Sequence, residues 1–211
     1  MEVVNSNPLN YVVSIPSSVK SGDGGGRPVL CFLHGDGEAA PMPIETALTR
    51  HGPLRAGSSQ KAIDDFIVVA PQLPANAKGD HWGQYAEAVR NIVTAVQKKY
   101  GGNPKQTYLT GFSFGANGVL DMAQSNPNFW AALWAVDPTR TPKASSGRPI
   151  WLSMGQRSRN NQSLAELLKL KQATDEAGDY VYLDENQNHV NTATLAYQDD
   201  QIYTWLQKHS L

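Results

Sequence analysis

The chain has little cysteine, almost no net charge and no long apolar run. Its one cysteine, Cys31, excludes an intramolecular disulfide. That thiol lies in "PVLCFLHG", where a buried cysteine acts as a small hydrophobe, and a single cysteine is compatible with a reducing compartment. Lysine and arginine number 18 against 19 acidic residues, a formal charge of −1. There is no basic stripe of the kind a nucleic-acid partner requires. The nearest cluster, Lys169 and Lys171 in "KLKQ", reads as the solvated face of a helix. No apolar stretch approaches the roughly 18 residues of a membrane span, so no membrane partner is expected. "MEVVNSNPLN" lacks a basic segment leading into an apolar one, which predicts no secretory signal and a cytoplasmic location. No G-x-x-x-x-G-K-[ST] loop, H-E-x-x-H pair or cysteine cluster occurs, so neither a metal nor any other cofactor is expected.

What is present is ordinary globular material, 40% hydrophobic and 18% charged over 211 residues. That length fits a single domain, 1–211, with a sizeable core. "SGDGGGRP" at 21–28 reads as a glycine-rich loop. The apolar runs at 11–15, 28–33, 66–70, 106–110, 130–136, 148–154 and 180–183 read as strands. Between them lie helical patterns at 81–100, 117–126, 164–177 and 196–209. In 81–100, Trp82, Tyr85, Val89, Ile92, Val93, Val96 and Tyr100 recur at helical spacing, and Gly101-Gly102 stop the run. Strands alternating with helices predict an α/β domain built on a mostly parallel sheet. Ligands in such sheets bind beyond the carboxyl ends of the strands.

The residues at those ends carry chemistry. "QTYLT" runs into Gly111-Phe112-Ser113-Phe114-Gly115, a G-x-S-x-G pattern between a strand and a helix. Such a turn strains the serine backbone, lifts its hydroxyl above the sheet and needs glycine where other side chains would collide. The following helix offers free amide N–H groups to an oxyanion. "PVLCFL" ends in His34-Gly35-Asp36-Gly37-Glu38, whose turn can bring amides close to a substrate oxygen. Gly35 and Gly37 are therefore candidate substrate contacts, and the amides of Asp36 and Phe114 the candidate oxyanion donors. The Asp36 carboxylate would have to face away. His34 is expected to bond its own loop. Serine needs a base to become a nucleophile. His189, in a polar loop after the last strand, is the candidate. His51, His81 and His209 do not directly follow a sheet strand. Asp137, after "WAALWAV", completes a Ser113, Asp137, His189 order along the chain.

In these stretches the chain resembles the α/β-hydrolase superfamily, in particular its lidless branch of predicted peptidases and polyhydroxybutyrate depolymerase-like esterases. The resemblance runs through "FLHGDGE", "RHGPLRA", "FIVVAPQLP" with Trp82 beyond it, "YLTGFSFGANGVLDMA", "AVDPTR", "RPIWLSMGQ" and "AYQDDQIYTWLQKH". It implies an α/β-hydrolase fold with helices on both faces of the sheet, and ester hydrolysis through an acyl-enzyme. Ser113 would be the nucleophile, His189 the base, and Phe114 and Asp36 the oxyanion donors. One element departs from the family. Where its acid stands in a G-x-x-D pattern, this chain has Gly155-Gln156-Arg157-Ser158, then Asn160 and Asn161. Asp137 is the nearest substitute and Asp184 a second. A serine–histidine pair helped by Ser158, Asn160 or water is a third possibility.

Only "DPTRTPKASSGR" separates two neighbouring strands, too short for a lid domain. An open site is expected, bordered by the 36–65 segment, Trp82 and "PQLPANAKGD", and taking a small-molecule ester or acyl substrate. Phe112 is expected in the core, with Phe114 there or lining an acyl pocket. Two alternatives stand beside the esterase: a binding protein on a hydrolase fold that has lost its acid, and a peptidase or thioesterase using the same residues.

Overall fold

The computed structural model describes residues 1–17, 26–77, 79–158, 162–172, 180–184 and 186–211. The glycine-rich stretch expected at 21–28 falls largely outside them, as do Asn160, Asn161 and 173–179. Among the described residues, nine strands form one sheet: β1 (Glu2–Val4), β2 (Tyr11–Ser14), β3 (Arg27–Leu33), β4 (Ile67–Pro71), β5 (Gly102–Phe112), β6 (Ala132–Val136), β7 (Ile150–Gly155), β8 (Lys171–Gln172) and β9 (Tyr180–Asp184). Their order across the sheet is β1-β2-β4-β3-β5-β6-β7-β9-β8. The β1–β2 and β2–β4 pairs are antiparallel and the rest are parallel.

The described helices are α1 (Ile44–Leu48), α2 (Lys61–Asp65), α3 (Ala86–Tyr100), α4 (Phe114–Ser125), α5 (Gln162–Leu167), α6 (His189–Gln198) and α7 (Asp200–Gln207). In α3 the periodic residues Val89, Ile92, Val93 and Val96 are buried, together with Ala86 and Gln97, and Gly101 ends the helix in the left-handed region at φ 72°. The central strands are buried on both faces, as parallel strands between helices must be. One apolar cluster gathers around α3, α4 and Trp82, the other around α6, α7 and Trp134. No described helix is long and apolar enough to cross a membrane.

The structure corrects several expected boundaries. The segment 81–100 opens with a 3-10 turn over Trp82–Tyr85 before α3. The helix after Ser113 begins at Phe114, three residues earlier than its apolar pattern suggests. The expected helix 164–177 ends at Leu167, and Lys171 lies in edge strand β8, so the "KLKQ" lysines do not share a helix face. The expected final helix 196–209 is two helices divided at Asp199. That side chain accepts a hydrogen bond from the Gln201 amide and caps the second helix.

Tyr197 on α6 ties the C-terminal helices to the strands that bear the site. Its hydroxyl lies 3.0 Å from Thr110 Oγ1, on β5 three residues before Ser113. Its ring lies 4.5 Å from Trp134, on β6 three residues before Asp137.

Candidate active site

Strands β5 and β6 run in register, with Phe112 beside Val136, so Ser113 and Asp137 leave the sheet side by side. Both have positive φ, 58° at Ser113 and 48° at Asp137. Non-glycine residues persist there only when their surroundings over-determine the backbone. At Ser113 two glycines allow the turn. A Cβ on Gly111 would stand 2.4 Å from the Gly115 carbonyl oxygen, and one on Gly115 would stand 2.0 Å from that of Leu33. The chain can therefore turn sharply between β5 and α4 only with glycine at both positions.

His189 arrives from the other direction. It is the first residue of α6, capped by the Asn188 side chain, and so begins a helix where a loop was expected. Its Nε2 lies 2.9 Å from Ser113 Oγ. Its Nδ1 hydrogen-bonds Asp137 Oδ2. With the proton on Nδ1, Nε2 is free to accept from the serine hydroxyl. Asp137 is fully buried. Its Oδ2 also accepts from Ser158 Oγ at 2.7 Å, and its Oδ1 faces the Gly155 amide at 3.4 Å. Ser158, in the turn that follows β7, thus donates to the aspartate at the end of the neighbouring strand. Asp184 is the last residue of β9 and pairs with Gly155.

Gly35 lies against the serine: a Cβ built on it would be 3.2 Å from Ser113 Cβ. Asp36 is solvent-exposed, and Gly37 turns the loop at φ 84° with open space around it. Among the described residues, neither the Asp36 nor the Phe114 amide N–H has a hydrogen-bond partner. His34 holds the loop as expected. Its Nδ1 donates to the Gly35 carbonyl at 2.8 Å and its Nε2 accepts from the Leu73 amide at 3.0 Å. Burial lowers its pKa to about 4, which keeps the ring neutral for that role. Trp82 requires a correction. It has no exposed surface; its indole N–H donates to the His34 carbonyl at 2.9 Å, and its ring packs edge-on to His34. It supports the loop from behind and offers no face to a substrate.

Sequence reasoning missed two neighbours. His51 packs 5.0 Å from Phe112, whose ring also lies 4.5 Å from His189. Burial, Arg50 and Arg55 lower the His51 pKa to about 4. Glu38 is 2% exposed, and its Oε1 faces Arg50 Nη1 at 3.6 Å and His51 Nε2 at 3.9 Å. Its Oε2 has no hydrogen-bond partner among the described residues. Burial pushes its carboxyl up to about 7, opposed by Arg50. The signal for Glu38 was there to read: a carboxylate four residues after His34 in a loop that follows a buried strand. His51 gave none, since it reaches the site through tertiary packing alone.

No protein-family model matches the chain, and no curated protein matches it. Solved structures do. A thermostable esterase superposes with a TM-score of 0.72 at 18% identity, covering 100% of this chain and 62% of its own. The chain therefore spans less than two thirds of that protein's length. The substrate-bound FphF of Staphylococcus aureus, a fluorophosphonate-binding serine hydrolase, superposes with a TM-score of 0.67 at 15% identity over 98% of this chain and 96% of its own. An S-formylglutathione hydrolase of Agrobacterium tumefaciens gives 0.68 at 13% identity over 98% and 93%. The chain has the α/β-hydrolase fold, the architecture of these esterases and serine hydrolases.

Proposed function

We propose that the protein is a serine hydrolase that cleaves carboxylic esters through an acyl-enzyme. The observation that carries this reading is the continuous Ser113–His189–Asp137 hydrogen-bond chain at the carboxyl ends of the sheet. His189 Nε2 takes the Ser113 proton as Oγ forms its bond to the ester carbonyl carbon. The oxyanion that results is met by the free amides of Phe114 and Asp36. Collapse of the adduct breaks the bond to the leaving alkoxide, which receives the proton from His189. Water, deprotonated by the same imidazole, then attacks the acyl carbon, and Ser113 leaves with the proton back on its oxygen. Asp137 holds the imidazole orientation and stabilises its charged form. The β6–β7 connection, residues 137–149, contains no helix. That openness supports a small-molecule ester or acyl substrate reached without a lid.

Asp137 at His189 supports the esterase reading over that of a binding protein on a hydrolase fold that has lost its acid. Turnover of p-nitrophenyl acetate tests the esterase reading. Wild type should hydrolyse it, and Ser113→Ala and His189→Ala should each lose at least about a thousandfold. Equal rates for the three proteins would refute it.

A further inference from the structure

Asp137 lies where the backbone least favours it. Its φ of 48° is left-handed, and the next residue is Pro138, which biases the one before it toward extended backbone. On the β7 side the Asp137 amide donates to the Ser153 carbonyl at 2.8 Å, and the chain just past Asp137 is bonded to the helix behind the nucleophile. Asn117 stands one turn into α4, its amide bonded to the Ser113 carbonyl at 3.2 Å. Its side chain is fully buried and turns back to the chain just past Asp137. Oδ1 accepts from the Thr139 amide at 2.9 Å and the Arg140 amide at 3.3 Å. Nδ2 donates to Thr139 Oγ1 at 2.6 Å and to Asp80 Oδ2 at 3.1 Å. Both donors and both acceptor positions of this carboxamide are thus in use.

Arg140 extends the same junction. It donates to Asp80 from Nε at 2.6 Å and Nη2 at 3.4 Å. It donates to Asp121, one turn further along α4, from Nη1 at 3.1 Å and Nη2 at 2.5 Å. Planar two-point pairing of this kind fixes direction as well as distance. Asp80 lies in the loop beside the nucleophile, where Gly79 approaches the Phe114 ring.

We propose that Asn117, backed by Arg140, is a positioning residue that locks the Asp137 turn to the nucleophile helix and so sets the aspartate against His189. This rests on the reading of Ser113, His189 and Asp137 as nucleophile, base and acid. The carboxamide touches no reacting atom. It acts through Asp137, and that route distinguishes it from a residue that only stabilises the fold. A helix and a loop tied four residues past the serine and two to three residues past the aspartate leave the pair little freedom to separate.

The test is a double-mutant cycle on p-nitrophenyl acetate, read together with proton NMR of His189. Asn117→Ala should lower kcat about 10- to 100-fold and leave KM within about twofold. In an Asp137→Asn background the same change should cost under about threefold, since the group it positions is already disabled. Gln124→Ala, which removes a 2.7 Å bond to Ala144 at the far end of the same loop, should change kcat by less than about twofold. The low-field signal of the proton between His189 and Asp137 should be present in wild type and lost or shifted in Asn117→Ala. That readout stands even if the protein turns over no ester, so a failed esterase reading and a failed lock are told apart. If Asn117→Ala does not fold, Thr139→Val, which removes one bond, takes its place with the same cycle. Full additivity with Asp137→Asn, or an unaltered low-field proton, overturns the proposal.

Discussion

The Phe112 ring lies 4.5 Å from the His189 imidazole, tilted by 34°. Phe112 is the last residue of β5, is 4% exposed and belongs to the core cluster on the α6–α7 side. The residue before the serine is thus a floor for the imidazole. Phe112→Leu keeps apolar volume but removes the flat face. We expect kcat for p-nitrophenyl acetate to fall about tenfold, with the midpoint of urea unfolding corresponding to a loss of about 1 to 2 kcal/mol. An unchanged kcat would show that the ring serves only the core.

Asp137→Asn tests the acid. The Oδ2 site would meet His189 with either an amide oxygen or an amide N–H, and the latter favours the wrong tautomer. The matching change in a serine protease costs about 10⁴-fold, or about 5 kcal/mol of barrier. At least a hundredfold loss of kcat is expected here, while Ser158→Ala, which deletes a hydroxyl shared between that carboxylate at 2.7 Å and the Gly155 carbonyl at 2.9 Å, should cost about tenfold or less. A loss under about threefold in Asp137→Asn excludes the assignment.

Glu38 gives the stability a pH dependence. Burial raises its carboxyl from 4.5 to about 7, so folding favours the neutral form. Its contribution is complete below the unfolded value and is lost as pH rises through about 7. His34 and His51, both lowered from 6.5 to about 4, add stability as pH rises toward about 6.5, but both proteins carry them and they drop out of the comparison. Between about pH 5 and pH 8 wild type should therefore lose stability relative to Glu38→Gln, by up to about 3 kcal/mol. Urea unfolding of both proteins at the two pH values measures it. Parallel curves would show that Arg50 keeps the carboxylate satisfied.

Tyr197→Phe removes the hydroxyl that meets Thr110 Oγ1 at 3.0 Å inside the core. We expect about 1 kcal/mol of destabilisation from the bond itself, and more if the Thr110 hydroxyl stays unpaired. Because Tyr197 sits on the helix that begins with His189, labelling of Ser113 by a slow-reacting phosphonate should also slow. Thermal denaturation and labelling rates, measured on the same preparation, separate the two effects.

Much of the site was legible because strong steric demands leave marks in sequence. Gly111 and Gly115 are required by contacts as short as 2.0 Å, so the turn around Ser113 could be read directly. The strand-end rule found His189 and Asp137 for a similar reason: apolar parallel strands are visible, and their ends are where side chains meet. Other elements carried no periodic mark. Strands β1 and β8, three and two residues long, are edge strands, and α1 and α2 have five residues each. The break at Asp199 was hidden because a capping aspartate looks like any polar residue on a helix surface. Trp82 was placed at the substrate because an aromatic beyond a strand resembles a wall, whereas its indole is spent on the His34 carbonyl. Asn117 and Arg140 went unseen because their partners lie 19 to 60 residues away along the chain.

The central claim is that Ser113 is a nucleophile activated by His189, and covalent capture tests it most directly. Wild type, Ser113→Ala and His189→Ala would be incubated with a fluorophosphonate and weighed intact. The account predicts one phosphonyl adduct per wild-type chain, mapped to Ser113, none on Ser113→Ala and strongly slowed labelling of His189→Ala. Wild type that stays unmodified, or an adduct that persists in Ser113→Ala, would contradict it.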